Sequence, residues 1–242
     1  MYFGFDGQVK AVVVGARGGL GQALCQRLIQ AGADVLMTSR SSQWVAEDPA
    51  QRWLLDPCDE GSVRRLAEAL TDAPPRIVIN ATGILHDGTM RPERTWRDLN
   101  PEQLQRYFAL HASALGMLAK YVIPLMPRKG RTLFANLSAR VGSIEDNRLG
   151  GWYGYRASKA AGNMILRCVA LEARRSHPAL VCVALHPGTV DTQLSKPFSA
   201  RVPTHKLFSP PQSAAYLDEV VSKLDAAQTG TFWAWDGEPI PW

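Results

Sequence analysis

Tyr155-Arg156-Ala157-Ser158-Lys159 places a phenol and an ammonium four residues apart, which a helix brings to one face. A phenol of ordinary pKa, about 10, is a poor acid or base near neutrality. A neighbouring cation favours phenolate and lowers that value. A tyrosine tuned in this way can protonate a carbonyl oxygen while hydride reaches the carbon, or run the reverse. The same spacing also describes an ordinary surface pair, so the rest of the chain must decide. A second group is Gly15-Ala16-Arg17-Gly18-Gly19-Leu20-Gly21. Glycines there let the backbone turn tightly and approach a pyrophosphate, which then sits on the N–H groups of the helix that Leu20 opens. Glycines also make plain turns; a strand before and a helix after give this motif its meaning.

Those elements are present in the pattern. Short β-branched or apolar runs at 9–14, 33–37, 52–55, 76–79, 132–137, 180–185 and 231–235 read as strands. Helical periodicity fills 20–30, 60–70, 101–125, 155–175 and 210–224 between them. Strand and helix in alternation predict one doubly wound, Rossmann-type α/β fold, a parallel sheet with helices on both faces. No linker or repeat interrupts it, so residues 1–242 are read as one nucleotide-binding domain. Ligands of such sheets bind at the carboxyl ends of the strands, where both motifs fall.

The second strand closes on Thr38-Ser39-Arg40 without the carboxylate that would grip a ribose 2′-hydroxyl. Arg17 and Arg40, with Ser39 between the two motifs, offer forked donors for a 2′-phosphate instead. The expected cofactor is therefore NADP(H) in preference to NAD(H). Asp56, after the third strand, either accepts a hydrogen bond from an adenine amino group or caps the following helix. Asn80-Ala81-Thr82-Gly83 ends the fourth strand with small residues that would let the backbone pass a ribose.

Taken together, these motifs resemble the short-chain dehydrogenase/reductase family over essentially the whole chain. The resemblance rests on the glycine motif, Asn80-Ala81-x-Gly83, the Ser138 segment, Tyr155-x-x-x-Lys159 and Pro187-Gly188. Ser138-Ala139-Arg140-Val141-Gly142-Ser143, the 155–161 segment, Trp235-Asp236-Gly237 and the ending Pro241-Trp242 resemble its C-factor-like branch. The resemblance implies that Tyr155 is the general acid/base. It implies that Lys159 lowers the phenol pKa and holds the nicotinamide ribose, and that a serine after the fifth strand bonds the substrate oxygen. Pro187, Gly188 and Val190 would pass the nicotinamide, and Thr192 would reach the phosphates.

Three positions depart from the family pattern. The usual serine position is Ala139, with Ser138 one residue before it. A one-residue offset along a strand reverses side-chain direction, so either Ser138 or Ser143 takes the role. His111 stands where an asparagine usually relays protons to the lysine, and it either relays or simply packs. Val14 replaces a common threonine, at a cost of about 1 kcal/mol for one turn hydrogen bond.

Composition narrows the alternatives. The 242 residues are 46% apolar and 20% charged, ordinary for a globular chain. The longest stretch without Asp, Glu, Lys or Arg, 176–190, is too short to span a membrane, and the N-terminus has no basic leader. A net charge of +5, spread along the chain, lacks the dense basic stripe of a nucleic-acid binder. Cys25, Cys58, Cys168 and Cys182 form no Cys-x-x-Cys pair and are expected as reduced, mostly buried thiols of a cytoplasmic protein. The scattered histidines predict no metal site. The aperiodic segment 195–209 suits a lid. Phe198, Leu207 and Phe208 in it would meet an apolar substrate; Lys196, Arg201, His205 and Lys206 would meet an anionic one. Residues 143–152 are a second candidate wall. The expected function is an NADPH-dependent reductase of a small carbonyl compound, or oxidation of the matching alcohol. The alternatives are a nucleotide-binding signalling module with little turnover and a purely structural interaction protein, which would leave Tyr155 and Lys159 without purpose. The long helices at 101–125 and 155–175 suggest a homodimer or homotetramer.

Overall fold

The computed structural model describes residues 2–242, the Arg201 side chain excepted. Its strands are β1 (Lys10–Val14), β2 (Asp34–Ser39), β3 (Arg52–Leu54), β4 (Ile77–Asn80), β5 (Thr132–Leu137), β6 (Leu180–His186), β7 (Thr189–Val190), β8 (Leu207–Phe208) and β9 (Thr231–Ala234). The helices are α1 (Gly19–Gln30), α2 (Ser42–Ala46), α3 (Glu60–Ala69), α4 (Pro101–Phe108), α5 (Ala114–Val122), α6 (Tyr153–Ala173) and α7 (Pro210–Lys223). Seven strands pair in parallel in the order β3-β2-β1-β4-β5-β6-β9. The order reverses between β1 and β4, where Val14 lies opposite Asn80. A crevice must open there at the carboxyl ends.

Period-two alternation divides the core. Ala11 and Val13 of β1 join the cluster under α1 and α7, while Val12 and Val14 join the one under α3, α5 and α6. Both faces being covered, β5 is buried along its whole length. The helix ends follow their capping residues: Asp59 accepts from Gly61 and Ser62, Asn100 from Gln103, and Ser209 with Gln212 forms a capping box before two prolines. Gly32, at φ +88°, turns the chain out of α1.

The predicted helix 101–125 differs in its middle. Residues Ala109–Ser113 widen into a π-helical turn between α4 and α5. By length and composition, Pro101–Leu125 would suffice to cross a membrane. Here Leu115, Leu118 and Val122 are fully buried against the sheet, as in a core helix. The predicted lid 195–209 carries short 3-10 turns and then β8, which pairs with β7. The thiols divide evenly: Cys25 and Cys182 are buried, whereas Cys58 and Cys168 are exposed, because each lies on the outer side of its segment.

Candidate active site

The glycine turn leads directly from β1 into α1. Gly15 takes φ +84°, Ala16 donates its N–H to Thr38 O of β2, and Gly18 donates to Gly15 O. A Cβ on Gly21 would lie 2.3 Å from Gly15 O, and one on Gly19 would lie 2.9 Å from Thr192 Cγ2. Only glycine permits both approaches. The first turn of α1 has neither a side-chain cap nor an acidic residue. Its N–H groups therefore point, unsatisfied by the helix, toward the cavity that Gly18, Gly19, Leu20 and Gly21 line. An uncapped helix start with no carboxylate fits a phosphate.

Asn80 braces the next wall. Its Nδ2 donates to Asn136 Oδ1 at 2.8 Å, joining β4 to β5, and its Oδ1 accepts the Thr82 N–H and hydroxyl. Ala81 and Gly83 follow on the cavity surface. Pro187, Gly188, Val190 and Thr192 form the opposite wall. Gly188, at φ +76°, packs so closely that a Cβ would meet the Phe208 ring at 2.5 Å.

Tyr155 and Lys159 come from the first turns of α6 and are each 6% exposed. Lys159 Nζ donates to Leu137 O at 2.9 Å and lies 5.8 Å from the Tyr155 ring centre. Burial lowers the lysine to about 8 and pushes the phenol above its ordinary value. The rise has burial as its cause, since desolvation penalises the charged phenolate. The lysine still keeps its proton at neutral pH.

Ser138 lines the cavity, with its Oγ donating to Asn163 Oδ1 at 2.7 Å. Ser143 lies off the cavity lining, and its Oγ accepts the Asp146 N–H in a turn. Ala139 also lines the cavity and packs against the apolar cluster around Tyr155. His111, in the π-helical turn, is held behind this wall. Its Nε2 accepts the Ile84 N–H at 3.1 Å, so Nδ1 carries the proton and donates to Ser158 Oγ at 2.8 Å. Ser158 in turn donates to Tyr155 O. Burial and the nearby Lys159 hold His111 well below its ordinary pKa, hence neutral. Both nitrogens are used in positioning the Ile84 loop and α6. The ring also packs 5.3 Å from that of Tyr155, edge to face.

Gly15, Asn80 and His111 lie next to lining residues of the cavity of about 580 Å3, while Arg17, Ser39, Arg40 and Asp56 are not on its lining. Arg17 and Arg40 are exposed, and among the described residues neither forms an ion pair. The Cys58 thiol feels both Asp56 and Arg40, which puts these groups at one edge. Asp56 Oδ1 accepts the Cys58 N–H, while the cap of α3 is Asp59.

Sequence reasoning passed over Ile84, His86, Arg140, His186 and Leu194, which also line the cavity. Each follows or ends a strand or lies in the 191–195 loop, so the carboxyl-end rule carried a signal for them. It also passed over Glu93, which is 2% exposed and accepts the Gly154 N–H at the start of α6. Among the described residues no cluster of His, Cys, Asp and Glu is arranged to hold a metal ion.

Comparison with known proteins agrees with this geometry. Residues 9–202 match the short chain dehydrogenase family model. A 1-hydroxy-2-glutathionyl-2-methyl-3-butene dehydrogenase of Rhodococcus sp. (strain AD45) is 26% identical, over 96% of this chain and 98% of that protein. The C-signal protein of Myxococcus xanthus is 27% identical over 74% of this chain and its own full length, in keeping with the C-factor-like branch. The NADPH-bound carbonyl reductase from chicken fatty liver shares the fold, with TM-score 0.81, 24% identity and coverage of 98% and 96% of the two chains. With its glycine turn, buried Tyr155–Lys159 pair and parallel sheet, the chain belongs to the short-chain dehydrogenase family and is an oxidoreductase.

Proposed function

We propose that the protein is an NADPH-dependent carbonyl reductase in which Tyr155 is the proton donor. The observation that carries this reading is one continuous cavity, with the uncapped start of α1 at one end and Tyr155 with Lys159 at the other. The residues present fit a dinucleotide phosphate. Gly18 to Gly21 would hold the pyrophosphate, Arg17, Ser39 and Arg40 a 2′-phosphate, Asp56 the adenine, and Pro187, Gly188, Val190 and Thr192 the nicotinamide half. When bound, the reduced nicotinamide supplies hydride.

The chain's own groups handle the proton. The carbonyl carbon gains hydride, its oxygen gains the Tyr155 proton, and C=O becomes CH–OH as the reduced nicotinamide is oxidised. An oxygen becoming an alkoxide is far more basic than a phenolate, so a phenol kept protonated by burial is a competent donor. Lys159, still charged at neutral pH, favours the phenolate left behind. Ser138 is the hydroxyl nearest the usual serine position, and His111 holds α6 and the Ile84 loop in place.

A second reading, a nucleotide-binding signalling module with little turnover, draws on Ala139 and on the likeness to C-signal. Following NADPH and NADH consumption against aldehydes, ketones and quinones decides between them. Reduction with NADPH that Tyr155→Phe lowers by about a hundredfold or more supports the reductase; cofactor binding without turnover supports the module. Assembly as a homodimer or homotetramer belongs to the same reading. Met164 and Leu171 of α6 are 65% and 47% exposed. Sedimentation showing only monomer at micromolar concentration removes that part.

A further inference from the structure

Four rings converge on the catalytic half of the cavity. Phe198 meets the Trp152 ring at 5.0 Å and the His86 ring at 5.9 Å, both edge to face. Trp152 meets the Tyr155 ring at 6.1 Å. All four residues line the cavity, and Ile84, Val141 and Leu194 fill the surface between them. Trp152 is fixed unusually firmly for an aromatic residue at an opening. It is left-handed, at φ 52°, after Gly150 and Gly151 at φ 63° and 65°, and its N–H donates to Glu93 O at 2.6 Å. A left-handed non-glycine residue costs about 1 kcal/mol or more and persists only where its surroundings hold it.

The cations near this half each have a partner in the wall. Arg140 Nη1 donates to Asp146 Oδ2 at 2.9 Å, and Lys159 Nζ to Leu137 O. His86 Nε2 donates to Gln193 O at 3.0 Å. On the lid, Lys196, His205 and Lys206 are exposed and turned away from the cavity lining, whereas Phe198 is turned in. A carboxylate placed beside Tyr155 would lose its hydration and find only Lys159, whose charge the phenolate needs, and the His186 imidazole, kept neutral by burial. A polyol would leave most of its hydroxyls against carbon.

We infer that the substrate is an uncharged, flat aromatic carbonyl compound, its ring packed against the touching rings of Trp152 and Phe198 and its oxygen at Tyr155. This assignment rests on the reductase reading. The step is the one given above, hydride to carbon and the phenolic proton to oxygen, with reduced nicotinamide dinucleotide as the reductant.

Benzaldehyde, 4-carboxybenzaldehyde and propanal present the same reacting group with a ring, a charged ring and no ring. With NADPH, benzaldehyde is expected to exceed 4-carboxybenzaldehyde in kcat/KM by about a hundredfold. Phe198→Ala is expected to reduce the preference for benzaldehyde over propanal about tenfold, and Phe198→Leu by less. Equal or better use of 4-carboxybenzaldehyde overturns the assignment, as does a benzaldehyde preference that Phe198→Ala leaves unchanged. Benzamide and benzoate, which are not reduced, separate the two readings by quenching of tryptophan fluorescence. Benzamide binding that is weakened in Phe198→Ala, with benzoate failing to bind, supports the aromatic site even where no aldehyde is consumed; that pattern removes the reductase alone. Benzoate binding as tightly as benzamide, or neither binding at millimolar concentration, overturns the aromatic site, even if aldehydes are consumed.

Discussion

The carboxylate of Glu93 accepts the Gly154 N–H at 3.1 Å, one residue before Tyr155, and its backbone carbonyl accepts the Trp152 N–H. One buried residue thus clasps both sides of the turn that begins α6. The negative charge also suits a helix N-terminus. Its other oxygen accepts from Gln103 Nε2 at 2.9 Å, tying the clasp to α4.

Removing that carboxylate leaves two donors unpaired. Glu93→Ala is expected to destabilise the fold by about 2–4 kcal/mol, the cost of losing buried hydrogen bonds. Because Tyr155 sits on the released turn, kcat should fall as well. Glu93→Gln keeps an acceptor for Gly154, but a Gln103 amide turned to accept from the new donor gives up its bond to Arg91 O, so part of the stability and activity should return. Urea denaturation and kcat measured on the three proteins test this. A Glu93→Gln variant as damaged as Glu93→Ala would argue that charge, not the clasp, is what matters.

Ala139 gives a second prediction. Its side chain stands on the cavity wall beside the Tyr155 cluster, where a hydroxyl would face a substrate oxygen. A preorganised donor aimed at developing negative charge accelerates reaction. Ala139→Ser is therefore expected to raise kcat about tenfold. The added atom is small and the site half-exposed, so stability should change little. A fall in kcat, with Tm unchanged, would mean that Ser138 already fills the role and the new hydroxyl competes with it.

Cofactor preference is the third. Arg17 and Arg40 are exposed cations without carboxylate partners among the described residues, and Arg40 lies at the edge shared with Asp56. Charge-assisted bonds to a 2′-phosphate would raise the Kd for NADPH about tenfold to a hundredfold when either arginine is replaced by alanine. The Kd for NADH should stay within about twofold, since it has no phosphate there to lose. Cofactor fluorescence titration gives both values. Equal weakening of NADPH and NADH would show that the arginines act elsewhere on the dinucleotide.

The strands, most helices and the glycine turn were legible because they follow local rules: period-two alternation buried on both faces, capping residues, and a glycine where φ is positive. Tyr155 and Lys159 were legible from their spacing only together with the glycine turn and the strand pattern around them. Other features depended on contacts remote in sequence. Glu93 is an isolated carboxylate, and nothing near it in the chain announces a partner at Gly154. The π-helical turn around His111 has no local breaker, and the two partners of its ring, the Ile84 loop and Ser158, are remote in sequence. In the lid, apolar and basic residues alternate without period, so the side facing Tyr155 was decided only by the packing of Phe198 on Trp152. The burial that raises the phenol was not legible, because spacing shows the cation but not the depth at which the pair sits.

His186 ends β6 at the cavity, and burial, with Arg140 nearby, pushes it down to about 4. Its Nδ1 is buried without a hydrogen-bond partner among the described residues. In the unfolded chain it titrates near 6.5. Between these values the unfolded state binds the additional proton, so stability falls as pH falls through that window. The full contribution of His186, reached below pH 4, is about 3 kcal/mol. His111, also held down by burial, acts in the same direction. His186→Asn keeps a polar side chain of smaller size but removes the titration. Its stability should therefore decline less steeply than wild type from pH 7 to pH 4. Thermal or urea unfolding across that range measures the two slopes. Parallel curves would place the acid sensitivity of the fold in other groups, His111 first among them.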